Sequence, residues 1–346
     1  MTNAINKRLL YELMKTGFDR NIVCSPFSLE VVLELLLQGA DGKTKQQLEK
    51  VLTENIKSKA NALNESENLS IANAVYVNRK YQNAVKEEYL NSISDYPNSI
   101  MMSGNNCVEK INAWVREITD GQIQKIIEKE SDDLVLCLLN ALAFDGKWME
   151  PYEDDDIYDE KFTNLDTSTA EVSMLSSTEY SYIENKLVTG FTKEYKGDFA
   201  FMGLLPKKET SKLSMLKTAK ELDFKKLYAD RSNDKVYVEI PEFEFDFDAP
   251  LTEFCKELGI TSIFEQNANL SKISEEVPLM VSDIKQKAKI KLDRHGTKAA
   301  AVTLAAVCAG CAIFDRKSVI LNRPFFFAIV HKDSGEPVFT GAVNKL

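Results

Sequence analysis

Apolar positions near the start of the chain recur at helical spacing. Ile5, Leu9, Leu10, Leu13 and Met14 share one helix face. Ser25-Pro26 marks a helix start: a hydroxyl that accepts from a backbone N–H, then a proline whose missing N–H costs nothing there. The run FSLEVVLELLLQ that follows is apolar on most sides, which predicts a central helix ending at Gly39. Thr44 with Gln47 reads as a capping box for the next helix, and VEKINAWVREITDG as an amphipathic helix ending at Gly121.

The period then changes. LVLCLLNALAF (134–144) is a continuous apolar run, the mark of a strand covered on both faces. Asn140 in its middle must find partners or cost about 1–3 kcal/mol. VYVEIPEFEFDF (236–247) and IKQKAKIKLD (284–293) alternate with period two. In the second, Ile284, Gln286, Ala288, Ile290 and Leu292 share the dry face, and Lys285, Lys287, Lys289 and Lys291 the wet one. Gln286 therefore also needs a partner. FAFMGLLP (199–206), PFFFAIV (324–330) and VFTGAV (338–343) complete a strand-rich second half. No linker, low-complexity tract or internal repeat divides the chain, so a single α+β domain, 1–346, is the simplest account.

Charge narrows the partners. With 53 acidic and 43 basic residues the net charge is −10, which argues against a nucleic-acid or anionic-membrane partner. Four of the six cysteines, Cys24, Cys107, Cys137 and Cys255, lie in apolar segments and read as buried thiols. The N-terminus has no apolar signal core, so the chain reads as cytoplasmic without a signal peptide, or extracellular if a leader has been removed.

Catalytic motifs are missing. The two histidines, His295 and His331, are part of no HExxH, and GxSxG, P-loop and GxGxxG patterns do not occur. His331 precedes a turn and reads as a surface residue. Glu153-Asp154-Asp155-Asp156 lacks a calcium-loop pattern and reads as a solvated loop. Cys308-x-x-Cys311 has redox or half-site metal spacing, but a zinc site takes about four ligands and no second pair follows. Plain small side chains, or a reversible local disulfide, are the readings left. No catalytic residue, metal or cofactor is expected, and the chain does not read as an enzyme.

Laid end to end, several stretches resemble the serpins across the chain. They are Asn21-Ile22-Val23-Cys24-Ser25-Pro26-Phe27-Ser28, Gly39-Ala40-Asp41-Gly42-Lys43-Thr44, Ile71-Ala72-Asn73-Ala74, Leu139-Asn140-Ala141 before Gly146-Lys147-Trp148, Gln286-Lys287-Ala288, Asn322-Arg323-Pro324-Phe325 and Phe339-Thr340-Gly341. The resemblance implies three β-sheets, about eight or nine helices and an exposed reactive-centre loop near the C-terminus. It places Ser25, Ser28, Asn140 and Gln286 in the shutter beneath the main sheet, and Trp148 at the breach where the loop first inserts. The family commonly has histidine where Gln286 stands.

The hinge of that loop matches Gly296, Thr297, Ala299, Ala300, Ala301, Val302 and Thr303. The resemblance implies a suicide mechanism. A protease attacks the loop and forms an acyl-enzyme, and the cleaved loop inserts as a new central strand and distorts the protease. The residues suit this: Thr297, Ala299, Ala301, Thr303 and Ala305 share one parity and are all small and uncharged. The family has acidic residues around the hinge where this chain has Arg294, His295 and Lys298.

The family's usual spacing puts the scissile bond at Gly310–Cys311. A longer distal side leaves Val307–Cys308, Cys311–Ala312 and Ile313–Phe314 open, with Ala309 among them. Small or aliphatic residues precede each bond, which suits an elastase-like or subtilisin-like serine protease. The partner implied is that protease, held by a monomer in a covalent acyl complex. The short interval between Leu52 and Leu69, where the family has helix D, speaks against heparin activation. The alternatives are a non-inhibitory serpin (binding protein, chaperone or plain substrate) and an inhibitor of a cysteine protease.

Overall fold

Every residue of the strand Leu136–Phe144 is buried, as its unbroken apolar run requires. The structure is a computed structural model and describes residues 4–129, 135–208, 210–276, 278–297 and 317–346. Among the described residues are nine α-helices and three short 3-10 helices, with strands in three sheets, a mixed α+β fold. These residues gather into two compact units. One is drawn from Met1–Ile5, Ser25–Ala143 and Asp248–Lys289, the other from Asn6–Cys24, Phe144–Phe247 and Ile290–Leu346.

The first unit centres on the helix Pro26–Gly39. Ser25 caps it by accepting from Ser28 N at 3.1 Å, and Pro26 opens its first turn. It is buried along most of its length and touches the helices Gly42–Val51, Ile56–Asn64 and Glu87–Ser94 and the strand Leu69–Val77. A sheet runs in the order Ser99–Met102, Leu69–Val77, Leu136–Phe144, Val281–Asp293. Its last two strands pair parallel, from Val281↔Leu136 to Lys289↔Ala143. On one face Ala72, Ala74, Tyr76, Cys137, Leu139 and Ala141 pack with Val108, Ile111 and Val115 of the helix Cys107–Ile118. Residues of the other parity, Asn140 and Asn73 among them, belong to the opposite face.

The second unit holds two sheets. Six strands run Ile22–Cys24, Pro337–Val343, Phe325–His331, Phe199–Pro206, Val188–Glu194, Tyr182–Glu184. Four run Ser318–Ile320, Val236–Pro241, Thr169–Glu179, Ile157–Thr163. The final residues of Val281–Asp293 pair antiparallel with Gly296–Thr297, which pairs antiparallel with Gly146–Lys147.

Local expectations fare unevenly. The helix Ala4–Thr16 and the strand Val281–Asp293 bury the expected faces. The helix expected to reach Gly121 stops at Ile118, and Gly121, at φ +72°, donates back to Arg116 O as a glycine cap. Thr44 and Gln47 do not form a capping box. Thr44 Oγ1 accepts from Asn269 N, and Gln47 Oε1 accepts from the N–H groups of Thr261 and Ser262, so a distant segment takes both side chains. The alternation over 236–247 is two strands, Val236–Pro241 and Phe243–Pro250, split at Glu242, whose N–H donates to Ser173 O.

Candidate functional site

In the first unit, Gln286 and Asn140 are register partners on the two parallel strands. Gln286 Nε2 donates to Asn140 Oδ1 at 2.9 Å and to Ser25 O at 3.0 Å, while its Oε1 accepts from Ser25 N at 2.7 Å. Asn140 Nδ2 donates to Asn73 Oδ1 at 2.7 Å and to Ser28 Oγ. Ser25, Ser28, Asn73, Asn140 and Gln286 are all buried. Gln286 and Asn140 each use both oxygen and nitrogen, so a polar network is held in an apolar surround at little net cost. The fold brings Ser25, Ser28, Asn140 and Gln286 together. The sequence assigns Asn73 no role, although a lone amide in LSIANAVYV is the same signal that marks Asn140.

In the second unit, Gly296 and Thr297 form a two-residue strand with a partner on each side: Asp293 and Leu292 on one, Lys147 and Gly146 on the other. Gly296 has φ +150°, and a Cβ there would lie 2.0 Å from Gly146 O. Only glycine fits that approach. Thr297 is fully buried and shares a 2.7 Å hydrogen bond with the hydroxyl of Tyr195. The Tyr195 ring stacks on Trp148, with centroids 4.3 Å apart and planes at 7°.

Trp148 anchors the turn at Asp293–His295. Its Nε1 donates to Asp293 O at 2.9 Å and its backbone N to His295 O at 3.0 Å. The N–H of Tyr152 donates to Arg294 O at 3.1 Å. Behind these rings Lys193, nearly buried, pairs with Glu179 at 2.9 Å and lies 4.5 Å from the centre of the Tyr152 ring. A buried cation is tolerable because a carboxylate and an aromatic face replace its water. Burial pushes the Tyr195 phenol well above its ordinary range, against the opposing effect of Thr297, so it stays a neutral hydroxyl. Arg294 pairs with Asp154 at 3.1 Å, and its backbone N donates to Glu242.

Of the remaining expectations, Ala299, Ala300, Ala301, Val302 and Thr303 of the hinge lie outside the described residues. So do Val307, Cys308, Ala309, Gly310, Cys311, Ala312 and Ile313 around the scissile bond. His331 is the half-buried last residue of the strand Phe325–His331, hydrogen-bonded to Ser334 Oγ of the turn that follows, and Asp154–Asp156 form a 3-10 turn. Cys24, Cys107, Cys137 and Cys255 are buried thiols outside any disulfide. Among the described residues, no cluster of His, Cys, Asp or Glu is arranged to hold a metal ion, and no helix is long and apolar enough to cross a membrane. Tyr195 is a partner of Thr297 that the sequence did not single out, since in GFTKEY it is one aromatic among many.

The arrangement defines a three-sheet α+β protein with a buried amide network in one unit and the two-sided strand Gly296–Thr297 in the other. Comparison gives the class a name. The family model Serpin (serine protease inhibitor) matches residues 2–346. Human Serpin I2 is 26% identical over 97% of this chain and 88% of its own length. Leukocyte elastase inhibitor A of Mus musculus is 28% identical over 96% of this chain and 94% of its own. The crystal structure of the thermophilic serpin tengpin in its native state matches with TM-score 0.87 at 30% identity, covering 99% of this chain and 93% of that one. The chain belongs to the serpin family.

Proposed function

We propose that this chain is an inhibitory serpin that traps a serine protease by inserting its cleaved loop between the strands Leu136–Phe144 and Val281–Asp293. The observation that carries the reading is the docked hinge: Gly296–Thr297 pairs antiparallel on both sides. A chain continuing in that direction runs antiparallel to both strands. It exchanges one parallel ladder for two antiparallel ones, and parallel pairing is slightly the weaker per residue.

The register supports this. Keeping Thr297 opposite Leu292 and Gly146, the residues Ala299, Ala301, Thr303 and Ala305 fall opposite Ile290, Ala288, Gln286 and Ile284. These are the buried positions of that strand, and the incoming residues are small and uncharged. Thr303 falls between Gln286 and Asn140, which already stand in register. Insertion parts those two amides, and the Thr303 hydroxyl, both donor and acceptor, can serve each of them.

The target is an elastase-like or subtilisin-like protease, because only small or aliphatic residues precede the bonds at Val307, Gly310, Cys311 and Ile313. The name of the leukocyte elastase inhibitor relative points the same way. Inhibition proceeds without heparin. The helix between Leu52 and Leu69, Ile56–Asn64, has nine residues, and its Lys57 is paired with Asp95 at 2.7 Å.

The test is to mix the protein with an elastase-like protease, run a denaturing gel and weigh the released C-terminal peptide. A denaturation-resistant complex is expected, and the peptide mass gives the scissile bond. Full cleavage with no complex, and no rise in melting temperature of the cleaved product, would overturn the inhibitor reading in favour of a non-inhibitory serpin.

A further inference from the structure

Three successive carbonyls before the hinge, those of Asp293, Arg294 and His295, accept hydrogen bonds from Trp148 Nε1, Tyr152 N and Trp148 N respectively. The turn is thus fixed by backbone and indole contacts. Thr297 is held by strand pairing with Leu292 and Gly146 and, in addition, through its side chain. Its side chain meets Tyr195 in a hydrogen bond between two fully buried hydroxyls.

Tyr195 holds its own position through several contacts. Its N–H donates to Phe199 O at 3.0 Å, its ring stacks on Trp148, and the Phe144 ring meets it edge-on at 5.0 Å. The ring is therefore placed without help from Thr297, whereas Thr297 is held otherwise only by its two strand pairings, which an unsatisfied buried hydroxyl would oppose. A buried hydroxyl left without a partner is penalised, and water reaches it once the hinge withdraws. The bond therefore biases an equilibrium between a docked and a withdrawn hinge.

We propose that Tyr195 is a positioning residue that latches the first rung of the inserting strand through Thr297. It thereby sets how quickly the rest of the loop follows after cleavage. The kinetic consequence rests on the inhibitor reading, but the latch itself does not. In an acyl-enzyme, insertion competes with deacylation. A loop whose first rung is already in place starts that race ahead, and a withdrawn hinge must dock before anything follows.

The test uses Tyr195→Phe, which keeps the ring, and Thr297→Val, which keeps the shape at the other end of the bond. Hydrogen exchange of the 293–297 amides is read in the uncleaved protein, and the stoichiometry of inhibition is read with the protease. Each single variant is expected to exchange about tenfold faster there, since one buried hydroxyl has lost its partner. Each is also expected to consume several inhibitor molecules per protease trapped. The double variant, with neither hydroxyl, and Thr297→Ser, with the hydroxyl kept, are expected to return towards the wild type.

Unchanged exchange at 293–297 in both single variants would overturn the latch, as would a double variant in which the two effects simply add. If the wild type traps no protease, the inhibitor reading fails by itself and the exchange measurement still decides the latch.

Discussion

Gln286 and Asn140 face each other across a parallel strand pair, joined by a 2.9 Å hydrogen bond from Gln286 Nε2 to Asn140 Oδ1. Three further residues, Ser25, Ser28 and Asn73, complete their hydrogen bonding. Truncation at the centre strands all the neighbours at once. Asn140→Ala is expected to destabilise the uncleaved protein by at least about 2 kcal/mol, because several buried groups lose partners. The denaturant midpoint measures this, and a midpoint within error of the wild type would show that water or repacking replaces the network.

A histidine in place of Gln286 should make stability depend on pH. Neutral imidazole can accept from Ser25 N–H and donate with its other nitrogen, as the glutamine does. Imidazolium cannot accept, and burial disfavours its charge, so the folded-state pKa lies below the unfolded value of about 6.5. The unfolded chain then binds more protons in acid. Gln286→His is expected to lose stability as the pH falls through about 6.5, relative to the wild type, and to be unaffected above about 8. Parallel stability profiles from pH 5 to 8 would refute this.

Thr303→Val probes the register of insertion. The uncleaved protein should melt as the wild type does. The cleaved form should gain less stability, by about 1–2 kcal/mol, because Gln286 and Asn140 are parted by a side chain that offers no hydrogen bond. Equal gains on cleavage would mean that another residue falls between the two amides.

Gly296→Ala tests the docked hinge sterically. Its Cβ would lie 2.0 Å from Gly146 O, so the first rung cannot form as it stands. Cleavage by protease should continue, trapping should fall, and the stoichiometry of inhibition should rise several-fold. Trapping as efficient as in the wild type would show that the two-residue strand is dispensable.

Thiol chemistry should spare the core. Burial pushes Cys24, Cys137 and Cys255 up to about 12, so at pH 8 only about one molecule in ten thousand carries each thiolate. Native labelling at that pH is expected to leave these three and the buried Cys107 unmodified, with peptide mass spectrometry as the readout. Rapid modification of any of them would reveal local opening of its strand or helix.

Much of this was written in the order of residues. The capped start at Ser25-Pro26, the buried run Leu136–Phe144 and the dry parity of Gln286 each follow from a local rule, because each describes one element meeting its surroundings. The need of Asn140 and Gln286 for partners was legible too, since a buried amide must be satisfied wherever it sits. Who satisfies them was not. Asn73 completes the network from another strand, Thr44 and Gln47 leave their own helix to bind residues beyond 260, and Tyr195 meets Thr297 from a hundred positions away. Those pairings depend on which elements become neighbours, and side-chain periodicity carries no information on that. The chain by itself determined where buried polar groups and small, insertable residues occur, because periodicity and size are local properties. Only the tertiary structure decided which hydroxyl or amide each one meets, because a hydrogen bond is formed by closeness in space.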